Sequence, residues 1–323
     1  MQKWTKPDQP PIRIALLLFD RFSNLCMANC IEPLRAANTQ TLRENFHWMI
    51  YTVDGAPASS SSGIEVVAHA NLAELTQVDY LFVLASYNHD EHDRRETRRI
   101  LRSAAAKAST VVGLDAGPWL LASAGLLDGR QATIHWDLLD AFSERFLEVR
   151  AEREQVLHDG PYMTCAGAMS ALEMTLGLIE HHLGAAPRLD VEALFLHGTQ
   201  LGELRSDQNT SSDPLTKRAL QVMRENIENP LGLAELSHRL SCQPRTLSRR
   251  FHTRLGASPG AVYRHMRLAA ARKLLESSTL SVSETALRCG YDSPAAMARA
   301  IRQYYGLSPR QLRLKARSII QQV

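Results

Sequence analysis

The stretch from Leu231 to Arg317 constrains the fold most, because it contains one short device twice: a helix, a sharp turn and a second helix. The first copy, Leu231 to Gly256, reads LGLAELSHRLSCQPRTLSRRFHTRLG. It has an apolar helix face through Leu233, Leu236 and Leu240 and a restart at Gln243-Pro244. The second, Ser281 to Gly306, reads SVSETALRCGYDSPAAMARAIRQYYG. Here Val282, Ala286 and Leu287 are expected to face inward, Gly290 to turn the chain with φ > 0, and Ser293-Pro294 to cap and open the second helix. Ser241 stands where such a turn often has glycine, and Arg249 and Arg299 occupy corresponding positions 50 residues apart. A unit this small cannot bury its apolar stripe alone. Two copies joined by a helix, Ala261 to Glu276, make one compact all-α body.

Charge divides the chain in the same place. From Ser206 onward there are 19 Lys/Arg against 8 Asp/Glu, whereas the first 205 residues hold 18 against 26, so the overall +3 hides halves of +11 and −8. Arginines spaced along two short helices of a basic domain are the electrostatic footprint of a phosphate backbone, where a merely solvated face mixes both signs. The expected partner is double-stranded DNA.

The 323-residue chain is long enough for two domains, each with a core. No segment has the ~18 uninterrupted apolar residues of a membrane span, and MQKWTKPDQPP lacks the apolar centre of a signal peptide, so a cytoplasmic protein without a membrane partner is expected. Cys26, Cys30, Cys165, Cys242 and Cys289 are odd in number and scattered. They read as buried free thiols of a reducing compartment, with no metal site and no call for a cofactor.

Upstream, IRIALLLF (Ile12 to Phe19), FHWMIYTVDG (Phe46 to Gly55), VDYLFVLAS (Val78 to Ser86) and TVVGL read as buried strands. They alternate with helices near Asn24 to Asn38 and Glu91 to Ala108. That alternation implies a flavodoxin-like α/β sandwich with a parallel sheet. Within VVGLDAGPWLLASAGLL (Val111 to Leu127) a strand runs through Asp115 into Gly117 and Pro118, a strand-turn-helix elbow that places one side chain at the carboxyl end of the sheet. An ionised Asp115 there can hold a cation, with Trp119, His135 and Trp136 supplying aromatic faces. The plainer alternative has Asp115 capping the Pro118 helix, His135 structural and both tryptophans in the core. RSDQNTSSDP, ten residues with no apolar side chain but proline, reads as a linker, after which Ser212 or Asp213 caps a helix from Pro214 to about Glu228. The expected layout is a leader 1–10, an α/β domain 11–204, a linker 205–214 and a helical domain 215–317.

The elbow followed by AGLLDGRQATIHW resembles the PfpI-type, class I glutamine amidotransferase-like domain, in which the elbow residue is commonly Cys with a histidine further on. His135 matches that histidine. TCAGAMSALEMTLGLIEHHLG (Thr164 to Gly184) extends the resemblance, but Asp115 replaces the thiol, and Cys26 stands where enzymatic relatives carry an acid. The implied chemistry is therefore lost. The last hundred residues, through GLSPRQLR, resemble the AraC/XylS family, and the whole chain the GlxA-type branch of AraC regulators. The resemblance implies a non-enzymatic activator that acts as a homodimer through its N-terminal domain, contacts RNA polymerase and senses a cationic or zwitterionic nitrogen compound such as a betaine, carnitine or arginine. It implies base reading by Arg245, Ser248, Arg249 and Arg299, with Arg250, Arg254, Arg302 and Arg310 on phosphates. Ala295 and Ala298 limit the second copy to positioning, methyl contacts and DNA shape. The competing readings are an amidase-like enzyme with a DNA-binding tail and a ligand-independent DNA-binding dimer.

Overall fold

A computed structural model describes residues 10–195 and 213–320, with side chains to residue 314. Its described residues separate into two compact units, one up to His181 and one from His182 on. The expected leader lies almost wholly, and the linker mostly, outside the described residues.

The N-terminal unit is built on strands that are apolar without alternation, because both sheet faces are covered. In β1 (Ile12–Leu18) every residue from Ile14 on is buried. Then come α1 (Asn24–Thr41), β2 (Phe46–Thr52), a small hairpin β3 (Ala58–Ser59) and β4 (Glu65–Val66), β5 (Ala70–Asn71) and β6 (Val78–Ala85). After α2 (Arg95–Ala105) the chain forms β7 (Ala108–Asp115), α3 (Gly117–Ser123), β8 (Gln131–Ala132), α4 (Leu139–Arg145), β9 (Arg150–Ala151), β10 (Val156–Asp159), β11 (Tyr162–Cys165) and α5 (Ala168–Leu183). The main sheet has the order β10-β11-β7-β6-β1-β2-β5; only β10 runs antiparallel to its neighbour. From β1 the chain steps outward to β2 and β5, then returns to the other side of β1 with β6. The carboxyl ends of β1, β6 and β7 thus flank a switch in winding direction, where open α/β sheets usually bind ligands. The charged segment expected as one helix from Glu91 begins instead as a 3-10 turn, His89–His92, entered through a left-handed Asn88 (φ 55°). The turn brings His89 back to the end of β6.

The C-terminal unit is entirely helical among its described residues: α6 (Ala185–Phe195), α7 (Pro214–Glu225), α8 (Leu233–Arg239), α9 (Pro244–Leu255), α10 (Pro259–Ser277), α11 (Val282–Arg288), α12 (Pro294–Tyr305) and α13 (Pro309–Ile320). Asp213 caps α7, accepting from Thr216 N at 3.1 Å. The pairs α8–α9 and α11–α12 are the two copies, joined by α10. Leu236, Leu240, Leu247 and Phe251 form the core of the first with Ala219, Leu220 and Met223 of α7, while Ala286, Met297 and Ile301 are buried in the second. Two residues expected inward face out: Leu233 is 41% exposed and Leu287 68%. Each first helix is only seven residues long, so its buried stripe is narrow, and Ser237 and Thr285 take the inward places.

Candidate ligand site and nucleic-acid interface

Asp115 closes β7 with φ 61°, a left-handed conformation in which an L side chain is strained. Three backbone contacts hold the turn. Ala116 N donates to Ala85 O at 2.9 Å, His135 N donates to Asp115 O at 3.1 Å, and a β-carbon at Gly117 would run into the carbonyl of Val83. The side chain does not cap α3, whose N-cap residue is Ala116. Instead Asp115 Oδ2 accepts from the Ser86 hydroxyl at 2.7 Å, and Ser86 Oγ accepts in turn from Ser23 N at 2.9 Å. The Ser86 hydroxyl thus links the start of α1 to the carboxylate at the end of β7.

Burial pushes the Asp115 carboxyl above the usual carboxylate range, against the Ser86 hydrogen bond and the nearby His135 and His89 rings. Burial also lowers His89, so this neighbour favours its neutral form and compensates the carboxylate weakly. The thiols around the elbow are unlike nucleophiles. Cys26 and Cys165 are fully buried; the Cys30 hydrogen bond and burial push Cys26 well up, and burial does the same for Cys165.

His135 is brought to Asp115, with its ring 5.5 Å from that of Trp136, which is 65% exposed. Trp119, partly buried, packs against the core, its ring 5.2 Å from Phe146 and 6.3 Å from Phe142, with His89 edge-on at 4.8 Å. Sequence reasoning missed Ser23, Ser86 and His89. The signal for Ser86 was an apolar strand ending in a hydroxyl; nothing local marked His89. The segments meeting at Asp115 also carry the exposed apolar side chains Leu25, Tyr87, Trp136 and Met169, each within two residues of Ser23, Ser86, His135 or Gly167.

In the helical unit the two second helices present matching faces. On α9, Leu247 and Phe251 are buried, which leaves Arg245 and Arg249, one turn apart, exposed and Ser248 half-buried between them. On α12, burial of Met297 and Ile301 leaves Ala295 and Arg299 exposed. Arg302 and Arg310 are exposed and Arg254 is half-buried. Arg250 is occupied differently: its guanidinium lies 3.3 Å from the buried Asp213 carboxylate, tying α9 to the start of α7. Other arginines are internal staples. Arg267 donates to the carbonyls of Cys289 and Gly290 and lies over the Tyr291 ring, and Arg313 donates to the carbonyl of Leu280. Among the described residues no helix is long and apolar enough to cross a membrane.

Comparison with known proteins matches residues 12–181 to the DJ-1/PfpI family and residues 236–315 to a helix-turn-helix domain. The HTH-type transcriptional regulator CdhR of Pseudomonas aeruginosa is 33% identical over 305 residues, covering 91% of this chain and 89% of that protein. The HTH-type transcriptional regulator GlxA of Rhizobium meliloti is 30% identical over 313 residues, covering 95% and 97%. The crystal structure of a THiJ/PfpI family protein from Pseudomonas syringae matches with a TM-score of 0.50 at 18% identity over 72% of this chain and 89% of that one, a likeness of fold.

Proposed function

Because the chain belongs to the AraC-type transcriptional regulators that carry a DJ-1/PfpI domain, and so has promoter DNA as its partner, we propose that its N-terminal unit senses a small cationic or zwitterionic nitrogen compound. Betaine- or carnitine-like amines and basic amino acids are the chemical class. The observation that carries this reading is the partly buried Asp115 carboxylate, which has a hydroxyl donor in Ser86 and a histidine neighbour biased toward its neutral form. A desolvated carboxylate gains most from a cation, and the apolar side chains of Leu25, Tyr87, Trp136 and Met169 suit its alkyl groups. His135 completes the near side of the site, whereas Trp119 supports it from the core. The elbow offers no thiolate, so the unit binds without turnover.

Ligand binding alters how a homodimer, joined through its N-terminal units, presents two DNA readers and recruits RNA polymerase to genes for catabolism of the ligand. On α9, Arg245, Ser248 and Arg249 read base edges. Arg299 does so from α12, with Arg254, Arg302 and Arg310 on phosphates.

Calorimetry with glycine betaine, carnitine and arginine tests the sensor. Wild type is expected to bind at least one, and Asp115→Asn to lose at least about tenfold in affinity, the worth of one partly buried charge contact. Equal binding by both proteins removes Asp115 from the site. Cation affinity should also fall on acidification earlier than an ordinary carboxylate predicts. The same variant tests stability. The folded carboxyl holds its proton more tightly than the unfolded one, so it favours the fold in acid, and that contribution is lost as pH rises from the ordinary carboxylate value through the raised one. Asp115→Asn should therefore melt higher at neutral pH, by about 2–4 °C per kcal/mol recovered. The advantage should vanish below about pH 4.

A further inference from the structure

Helix α6 follows α5 after the single residue Gly184, yet it packs within the helical unit. Leu189 joins the core of the first copy with Ala219, Leu220 and Met223. The next residue, Asp190, meets the middle of α10: its two carboxylate oxygens lie 2.9 and 3.1 Å from His265 Nε2, on a histidine only 4% exposed. The His265 ring stands edge-on to Tyr304 at 4.9 Å, and Tyr304 in turn to Tyr305 at 4.9 Å. Arg272 of α10 lies 5.1 Å over the Tyr305 ring and is paired with Glu276 at 2.6 Å. Burial, with Asp190 nearby, pushes both phenols well above their ordinary value.

The cluster falls on one copy only. With α9 and α12 aligned on Arg249 and Arg299, Tyr304 takes the place of Arg254. Where the first reader ends in a cation, the second ends in a ring set against His265. A carboxylate hydrogen-bonded to a buried imidazole fixes geometry well, because moving either helix strands a desolvated polar group without its partner.

We propose that Asp190, through His265 and Tyr304, is a positioning residue that sets the second DNA-reading helix, α12, from a helix outside the duplicated motif. The proposal rests on the reading in which α12 engages DNA. It extends the DNA-reading unit to α6, and it makes the segment directly after the α/β fold a determinant of one half-site and not the other.

The test uses the full chain on a DNA site selected from a random pool by the wild-type protein, with hydroxyl-radical footprinting of each half-site. Asp190→Ala should lose about tenfold in occupancy of the α12 half-site, equivalent to about 1.4 kcal/mol, and change the α9 half-site less than about twofold. His265→Ala should do the same, and the double variant should be no worse than the worse single one, since both cut one connection. If Asp190→Ala does not melt cooperatively, Asp190→Asn is read in its place, with a smaller loss at the same half-site. Equal loss at both half-sites, no loss at either, or additive losses in the double variant overturn the proposal. Arg299→Ala separates it from the reading beneath: if that variant leaves the α12 half-site intact, α12 does not engage DNA there and the prior reading fails.

Discussion

The two helix-turn-helix copies share one plan and differ in how their turns are made. In the first, the left-handed residue is Ser241 (φ 51°), and Pro244 opens α9 three residues on; in the second it is Gly290 (φ 67°), and Pro294 follows after four. Gln243 gives α9 no side-chain cap, whereas Ser293 accepts from Ala296 N at 3.2 Å, and Ser281 and Glu284 form a capping box on α11. The first copy presents Arg245 and Arg249 outward, with Ser248 half-buried between them, on a backbone that is slightly strained and poorly capped. The second is better capped, and where the first has Arg245, Ser248 and Arg249 it carries Ala295, Ala298 and Arg299.

Gly290→Ala should break this comparison most severely. A β-carbon there would stand 2.7 Å from Pro230 Cδ and 2.8 Å from Ile227 O in a left-handed backbone, so a loss of about 3 kcal/mol is expected, read by chemical denaturation of the full chain. Next comes Arg249→Ala, which should relax base preference in the first half-site by roughly 1–3 kcal/mol, measured by binding to a panel of single-base variants. Arg299→Ala should flatten preference less, because Ala295 and Ala298 give it no polar company. Equal effects would make the readers equivalent and refute the asymmetry. The smallest effect sharpens the comparison: Ser241→Gly should stabilise by roughly 0.5–1 kcal/mol, because glycine takes a positive φ without strain.

Periodicity and charge made the architecture legible before any coordinates. Strand runs such as Ile12–Leu18 are apolar because both faces are covered, and the Pro-marked starts of α9 and α12 fall where Pro244 and Pro294 predict. Long-range pairing was not legible. Nothing local to Asp190 distinguishes a helix-surface acid from the partner of a histidine 75 residues away, and nothing local to Arg250 marks it as the partner of Asp213. At the elbow, Asp115 and His135 were found because strand, turn and spacing are local. Ser86 and His89 arrive from a neighbouring strand and a tight turn after it, and the direction of the Trp119 ring depends on Phe142 and Phe146.

The contacts that hold the elbow run from backbone to backbone, with glycine where the strands crowd; the Asp115 side chain is no part of them. The socket is thus indifferent to its occupant. A thiol can be exchanged for a carboxylate there by substitution at one position, without dismantling the sheet around it. Conversely, new specificities should be reachable by altering the occupant and its hydroxyl and imidazole neighbours, Ser86, His89 and His135, with the turn left as it stands.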